Sequence, residues 1–247
     1  MNFELEVCAG SLSSAINARK GGAHRIELCD NLIEGGTTPS PGVIIQAVKL
    51  LNIPVFVLIR PRPGDFLYSD EEFEAMKEDI RFCKGNGAKG VVLGILKKDG
   101  TIDIDRCTIL AELARPMQVT FHRAFDRAAD PYRALEDIIS LGIERIMTSG
   151  QAATAVEGSD LLSDLVKKAG NRIIIMPGSG ITENNVAGLI KKTGAKEIHG
   201  SLRSKIKNGL HYQNEFVQLG DKELEEFVLY ETDASRVQHC VDILKAF

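Results

Sequence analysis

Several features are missing from this sequence of 247 residues, and each absence excludes a class of protein. No apolar run approaches the ~20 residues that a membrane-spanning helix needs. The net charge is −4 and no basic stripe is present, which argues against nucleic acid as a partner. The N-terminus carries neither a basic segment nor a long apolar stretch, so it does not resemble a signal peptide. We therefore expect a cytoplasmic protein that does not contact a membrane.

Cysteine motifs are also absent, because the five cysteines are an odd number and none belongs to a CxxC pair. In a chain without a signal peptide, such cysteines are expected to be reduced thiols. Cys83, Cys107 and Cys240 fall in helical patterns and are predicted to serve packing. Cys8 and Cys29 differ from them, because each stands at the end of a short apolar strand.

The sequence does contain a repeat. Its unit is a glycine, an apolar residue, two polar or small residues and then an apolar strand core. The four glycines stand at positions 22, 87, 142 and 194, which are 65, 55 and 52 residues apart. Each glycine is predicted to end a helix in the left-handed conformation that other residues resist, immediately before a buried strand.

Four further apolar strands lie before or between these copies, over residues 4–7, 55–59, 118–121 and 173–176. Helical patterns separate the strands, and one of them opens with the capping box of Ser69 and Glu72. Eight strands that alternate with helices predict an α/β fold, a (β/α)₈ TIM-like barrel with a parallel sheet. A doubly wound open sheet is the alternative, but it predicts no regular spacing. No GxGxxG motif follows the first strand, so we expect no nucleotide cofactor.

The whole chain, residues 1–247, is predicted to be one barrel domain, because no linker rich in proline, glycine or serine divides it. Residues 203–232 are expected to form a long final loop, within which 227–230 is a candidate for a short strand. Asp233 is then predicted to cap the last helix, over residues 233–247.

Acidic residues and thiols stand at the ends of the first two strands, where barrels of this kind carry their working sites. Because side chains alternate along a strand, Glu6 shares a face with Cys8, and Glu27 shares a face with Cys29. If that face is inward, two carboxylates and two thiols converge in the barrel mouth. A structural layer of ion pairs and an acid/base site are both consistent with this arrangement.

Further candidates for the same site stand at the ends of the third and fifth strands. Arg60 follows the third strand, and His122, Arg123 and Asp126 follow the fifth. We expect Arg60 and His122 to join the carboxylates, with glutamate and arginine paired inside the mouth.

Small residues after the sixth, seventh and eighth strands predict an anion or phosphate pocket. They are Ser149, Gly150, Gly178, Ser179, Gly180, Gly200 and Ser201. Loops of this kind, with free backbone N–H groups at the start of a helix, form the usual phosphate pocket of the barrel fold. The alternative is that these glycines only serve tight turns between strands and helices.

The short sequence motifs at the ends of the strands together resemble the CutC family, which is named for copper homeostasis. They are long, they occur in order between about residue 3 and residue 203, and the tail after that matches only loosely. They include RIELC at 25–29, EGGTTPS at 34–40, IRPR at 59–62, TFHRAFD at 120–126, TSG at 148–150 and PGSGI at 177–181. The chain departs from the family pattern at Pro63, where a glycine is usual, and at Ser179, where glycine or alanine is frequent.

This resemblance implies a cytoplasmic TIM-like barrel that forms a homo-oligomer and binds copper. The cysteines proposed as copper ligands in the family fall at Cys8 and Cys29 of this sequence, and thiolates suit Cu(I).

Two functions follow from these features. The first is copper homeostasis, with a copper ion as the partner. The alternative is an enzyme that acts on a phosphorylated or carboxylated small metabolite. In that enzyme Glu6 or Glu27 would be the base, His122 an acid/base, and Arg60 and Arg123 anion clamps.

Overall fold

The computed structural model describes residues 3–207, 209–212, 214, 216–217, 225 and 227–247. Eight parallel strands alternate with eight helices in this part of the chain. The strands are β1 (Glu4–Ala9), β2 (Arg25–Leu28), β3 (Val55–Leu58), β4 (Gly90–Leu93), β5 (Gln118–Phe121), β6 (Arg145–Thr148), β7 (Ile174–Pro177) and β8 (Glu197–Gly200). The helices are α1 (Leu12–Lys20), α2 (Pro41–Leu50), α3 (Asp70–Gly85), α4 (Ile104–Ala114), α5 (Pro131–Ser140), α6 (Ser159–Ala169), α7 (Val186–Thr193) and α8 (Ala234–Lys245).

The strands form a nearly closed barrel. From β1 to β6, each strand pairs in parallel with the strand that follows it, and β1 also pairs with β8. Strand β1 therefore lies between β2 and β8, which an open doubly wound sheet with its crossover at the centre does not produce. The predicted (β/α)₈ barrel is confirmed.

The repeat glycines behave as the sequence predicted. Gly22, Gly87, Gly142 and Gly194 have φ angles of 89°, 85°, 65° and 73°, and each precedes an even-numbered strand by three residues. These angles lie in the left-handed region that glycine adopts without steric cost. The repeat therefore marks the turns that lead into β2, β4, β6 and β8.

The predicted helix starts are also present. Ser69 accepts a hydrogen bond from the Glu72 amide, and the Glu72 carboxylate accepts one from the Ser69 amide. Asp233 accepts from two amides in the first turn of α8. Cys83, Cys107 and Cys240 are buried in helices α3, α4 and α8. No helix among the described residues is long and apolar enough to cross a membrane.

The segment after β8 differs from the expected long loop over residues 203–232. Two strands occupy its ends, β9 (Arg203–Lys207) and β10 (Val228–Thr232), and they pair antiparallel with each other. The second contains residues that favour strands, whereas the first is polar and becomes a strand through its partner. Much of the segment between them lies outside the described residues.

A layer of charged side chains fills the lower barrel, at the N-terminal ends of the even strands. Arg25, Gly90, Arg145 and Glu197 are the first residues of those strands. Arg25 Nη2 and Arg145 Nε lie 2.5 and 3.1 Å from the same Glu197 oxygen. The Phe56 ring lies 5.0 and 5.2 Å from the two guanidinium carbons, and it fills the space that a Cβ on Gly90 would enter. Branched aliphatic residues usually occupy such layers.

The close approach of α1 and α8 gives a testable prediction about the outer wall. A Cβ on Gly21, just after α1, would lie 2.5 Å from the carbonyl oxygen of Ala234 and 2.6 Å from Cβ of Val237. We expect Gly21→Ala to lower the free energy of unfolding by about 1–3 kcal/mol, because helix α8 must shift. Urea denaturation measures this change.

Gly42→Ala is the matched control, because no atom lies within 4 Å of the added carbon, and it should unfold at the wild-type urea concentration or above. Equal urea concentrations at the unfolding midpoints of the two variants would contradict the close contact between Gly21 and helix α8.

Candidate functional site

The C-terminal ends of the strands surround a cavity of about 580 Å³, a size typical of small-molecule sites. Its inner wall contains side chains from five strands, Cys8, Glu27, Leu58, Met147 and His199, together with His122 just after β5. Its outer wall includes residues of the loops and of the last elements, among them Cys29, Arg60, Phe66, Arg123, Tyr230 and Arg236.

Two thiols lie next to each other on this wall. Cys8 Sγ and Cys29 Sγ are 3.3 Å apart, and the residues are 7% and 1% exposed. A carboxylate oxygen of Glu27 belongs to the same group as the two sulfurs, and these three atoms all lie within 4.8 Å of one another. Parallel pairing sets this geometry, because Cys8 stands opposite Glu27 in the register of β1 and β2.

Glu6 lies below the cavity and belongs to the charged layer. Its carboxylate is 2.5 Å from Arg25 Nε and 2.8 Å from His199 Nδ1. Burial raises the pKa of Glu6, but the positive charges of Arg25 and His199 outweigh burial and lower it to about 2. Glu6 is thus a structural partner that is ionised at neutral pH, and it is absent from the cavity wall, so the structure does not bring it to the site with Glu27.

His199 connects the charged layer to the thiols. Its Nε2 lies 3.6 Å from a Glu27 oxygen, while its Nδ1 is bound to Glu6. Burial opposes the charged imidazolium, but Glu27 and Glu6 raise the pKa of His199 well above its usual range. The hydrogen bond with Cys29 and burial raise the pKa of Cys8, so this thiol holds its proton at neutral pH. Burial also raises the pKa of Glu27.

Arg60 pairs with no glutamate in the described part of the chain, which corrects the sequence expectation. Its Nη1 donates to the carbonyls of Glu34 and Gly36, and its Nη2 donates to the carbonyl of Gly64. Arg25 stands directly opposite Glu6 in the strand register and takes that carboxylate instead. Arg60 therefore holds together the loops that follow β2 and β3.

His122 lines the cavity as a neutral ring. Burial and the positive charge of Arg60 lower its pKa to about 3. Its Nδ1 accepts a hydrogen bond from the Ala124 amide at 3.2 Å. Because the ring is neutral at physiological pH, it does not carry the proton of an imidazolium that could act as a general acid.

Asp126 has a structural role after β5. Its carboxylate accepts from Thr148 Oγ1 at 2.5 Å, from the amides of Ser149 and Gln151, and from Arg123 Nε at 2.7 Å. Asp126 is not part of the cavity wall, whereas Arg123 is. The carboxylate therefore positions Arg123 rather than facing a ligand.

The predicted anion pocket is only partly assembled. Ser179, Gly180, Gly200 and Ser201 line the cavity, but Ser149, Gly150 and Gly178 do not. The amides of these three donate to Asp126, to Thr148 Oγ1 and to the Thr148 carbonyl. They therefore serve the turns that follow β6 and β7.

Several cavity and layer residues were missed by sequence reasoning. Arg25, Arg145 and Glu197 occupy the same position in their repeat copies, and period two from Glu197 leads inward to His199. That regularity is a signal that could have revealed the layer. Arg236 comes from α8 and carried no such signal.

Comparison with known proteins gives the family of this chain. The model of the CutC family matches residues 3–204. A CutC family protein of Chromobacterium violaceum is 50% identical, with 96% of each chain covered. The chain belongs to the CutC family. Mouse and human relatives named copper homeostasis protein cutC homolog are each 49% identical, and the match covers 96% of this chain and 87% of theirs.

Solved structures agree with this membership. The structure of a CutC protein from Streptococcus agalactiae has a TM-score of 0.77 and 37% identity, and the match covers 81% of this chain and 98% of that one. Phosphoribosylanthranilate isomerase of Pyrococcus furiosus, at 13% identity and a TM-score of 0.59 over 100% of both chains, shares the fold alone.

The low pKa of Glu6 predicts a pH-dependent contribution to stability. A carboxyl whose folded pKa of about 2 lies below its ordinary 4.5 stabilises the fold above pH 4.5. That contribution is lost as the pH falls from about 4.5 towards 2. At pH 7, Glu6→Gln should therefore lower the free energy of unfolding by on the order of 3 kcal/mol. The difference in this free energy between the variant and the wild type should become smaller in acid. Denaturation across this pH range measures the difference.

Glu136→Gln is the control, since Glu136 pairs with Arg172 at the surface, where such pairs contribute about 0–1 kcal/mol. If the stability difference between Glu6→Gln and the wild type stays constant down to pH 2, the ionised Glu6 carboxylate is not its source.

Proposed function

We propose that this member of the CutC family acts in copper homeostasis in the cytoplasm by binding Cu(I) through Cys8 and Cys29. The observation that carries the proposal is the 3.3 Å separation of two buried thiols on the wall of an accessible cavity. The copper-homeostasis names of the mouse and human relatives support the choice of metal.

The donor chemistry fits a soft monovalent ion. Thiolate sulfur is a preferred ligand of Cu(I), whereas the carboxylate of Glu27, the third member of the group, suits harder ions. Because ligands bind a metal in their deprotonated form, the Cys8 thiol must release its proton on binding. Its raised pKa in the metal-free protein makes copper affinity increase with pH.

The surroundings can balance the charge of the complex. Two thiolates and one monovalent cation carry one net negative charge. The His199 side chain, protonated between Glu6 and Glu27, lines the same cavity wall as Cys8 and supplies a positive charge there. A buried charge that is compensated in this way costs much less than an isolated one.

Other expectations stay predictions. The homo-oligomer follows from the family resemblance alone. The alternative is an enzyme that acts on a phosphorylated or carboxylated metabolite. Three of its candidate residues, Arg60, Arg123 and Glu27, line the cavity, whereas Glu6 pairs with Arg25 in the charged layer.

The copper proposal predicts that the double variant Cys8→Ser/Cys29→Ser loses tight Cu(I) binding. A hydroxyl is a harder and more weakly coordinating ligand than a thiolate, so we expect the affinity to fall by more than about 100-fold. Competition with a Cu(I) chelator under reducing, oxygen-free conditions measures the affinity.

The matched control is Cys83→Ser/Cys240→Ser, which removes two thiols buried in helices α3 and α8, away from the cavity. It should retain the wild-type affinity at a stoichiometry of one ion per chain. Unchanged binding by the Cys8/Cys29 double variant would rule out the proposed site.

A further inference from the structure

Arg60 is a buried cation without a counter-ion in the described part of the chain. The residue is 4% exposed, and its hydrogen bonds go to three backbone carbonyls. Arg25 and Arg145 are equally buried, but they bind carboxylates at 2.5 to 3.1 Å. Burial of an unpaired charge is costly, so the difference calls for an anion beside Arg60.

Two buried nitrogen atoms on the same side of the barrel have no hydrogen-bond partner. They are Nε of Arg60 and Nε2 of His122, which is 3% exposed. The Nδ1 atom of His122 accepts from the Ala124 amide, so the neutral ring carries its hydrogen on Nε2. Both unpartnered atoms are therefore donors that require an acceptor.

The side chains of both donors lie near a single aromatic ring on the cavity wall. The Phe66 centroid lies 5.1 Å from Cζ of Arg60 and 4.8 Å from the centroid of the His122 ring. Arg60, His122 and Phe66 all line the 580 Å³ cavity, together with Arg123. Both side chains therefore border the space that a ligand would occupy.

Tyr68 and Glu27, two acidic groups near this wall among the described residues, do not supply the missing charge. Burial raises the pKa of Tyr68, whose ring lies near Arg60 and Arg62, to about 12, so the phenol stays neutral. Glu27 faces His199 and the thiols, and it is not within ion-pair distance of Arg60.

We propose that this wall binds the carboxylate of a small organic acid, whose oxygens accept hydrogen bonds from Arg60 Nε and His122 Nε2. A carboxylate has two acceptor oxygens to offer these two N–H donors, and a charged partner strengthens each bond. The glycine-rich loops that suit phosphate follow β7 and β8, and β7 is four strands away from β3 in the barrel. The proposal is independent of copper binding at Cys8 and Cys29.

The test measures binding of malonate, succinate and 2-oxoglutarate to the reduced, metal-free protein by calorimetry and thermal shift. Sodium phosphate and sodium chloride at equal ionic strength are the comparison salts. We expect saturable binding of at least one dicarboxylate, and binding about 10-fold or more weaker in His122→Asn. Asparagine can keep the acceptor for the Ala124 amide while removing the Nε2 donor.

The control is His24→Asn, because His24 Nδ1 accepts from the Leu5 amide at the opposite end of the barrel in the same way. A second pair, Arg60→Gln against the surface variant Arg172→Gln, tests the charge. Cys8→Ser/Cys29→Ser should still bind the acid, which separates this proposal from the copper site. Binding of phosphate alone, no saturable binding of any of the three acids, or equal affinity in His122→Asn would overturn it.

Discussion

The ion pairs in the lower barrel determine the arrangement of the candidate site above them. Arg25 binds one Glu6 oxygen, and the other oxygen of Glu6 binds His199. His199 in turn faces Glu27, which stands beside Cys8 in the strand register. The orientation of Cys8 and Glu27 therefore depends on charges that lie one layer deeper in the barrel.

Charged groups in a barrel core carry a desolvation cost that aliphatic residues avoid. The cost is offset here because Glu197 binds two arginines and the Phe56 ring packs on both guanidinium groups. The missing side chain at Gly90 makes room for that ring. Replacing Glu197 would leave Arg145 without a carboxylate among the described residues, so the layer favours one arrangement of these partners.

The sequence was a good guide to the fold because its signals are local. A glycine that must adopt a positive φ, such as Gly22 or Gly142, marks each turn, and period two places Glu27 and Cys8 on inward faces. The register between neighbouring strands leaves no such local signal. For that reason Arg60 was paired with a glutamate that Arg25 takes, and the polar strand β9 was expected to be loop.

The open cavity shared by the thiols and the Arg60–His122 wall has a thermodynamic consequence. Two ligands that occupy one enclosure influence each other's binding, and the influence must be reciprocal: each changes the affinity of the other by the same factor. Bound metal would alter the charge that an acid meets, and a bound acid would alter the solvent around the sulfurs. The cavity would then act as a coupling element, in which metabolite concentration adjusts how tightly the protein holds its ion.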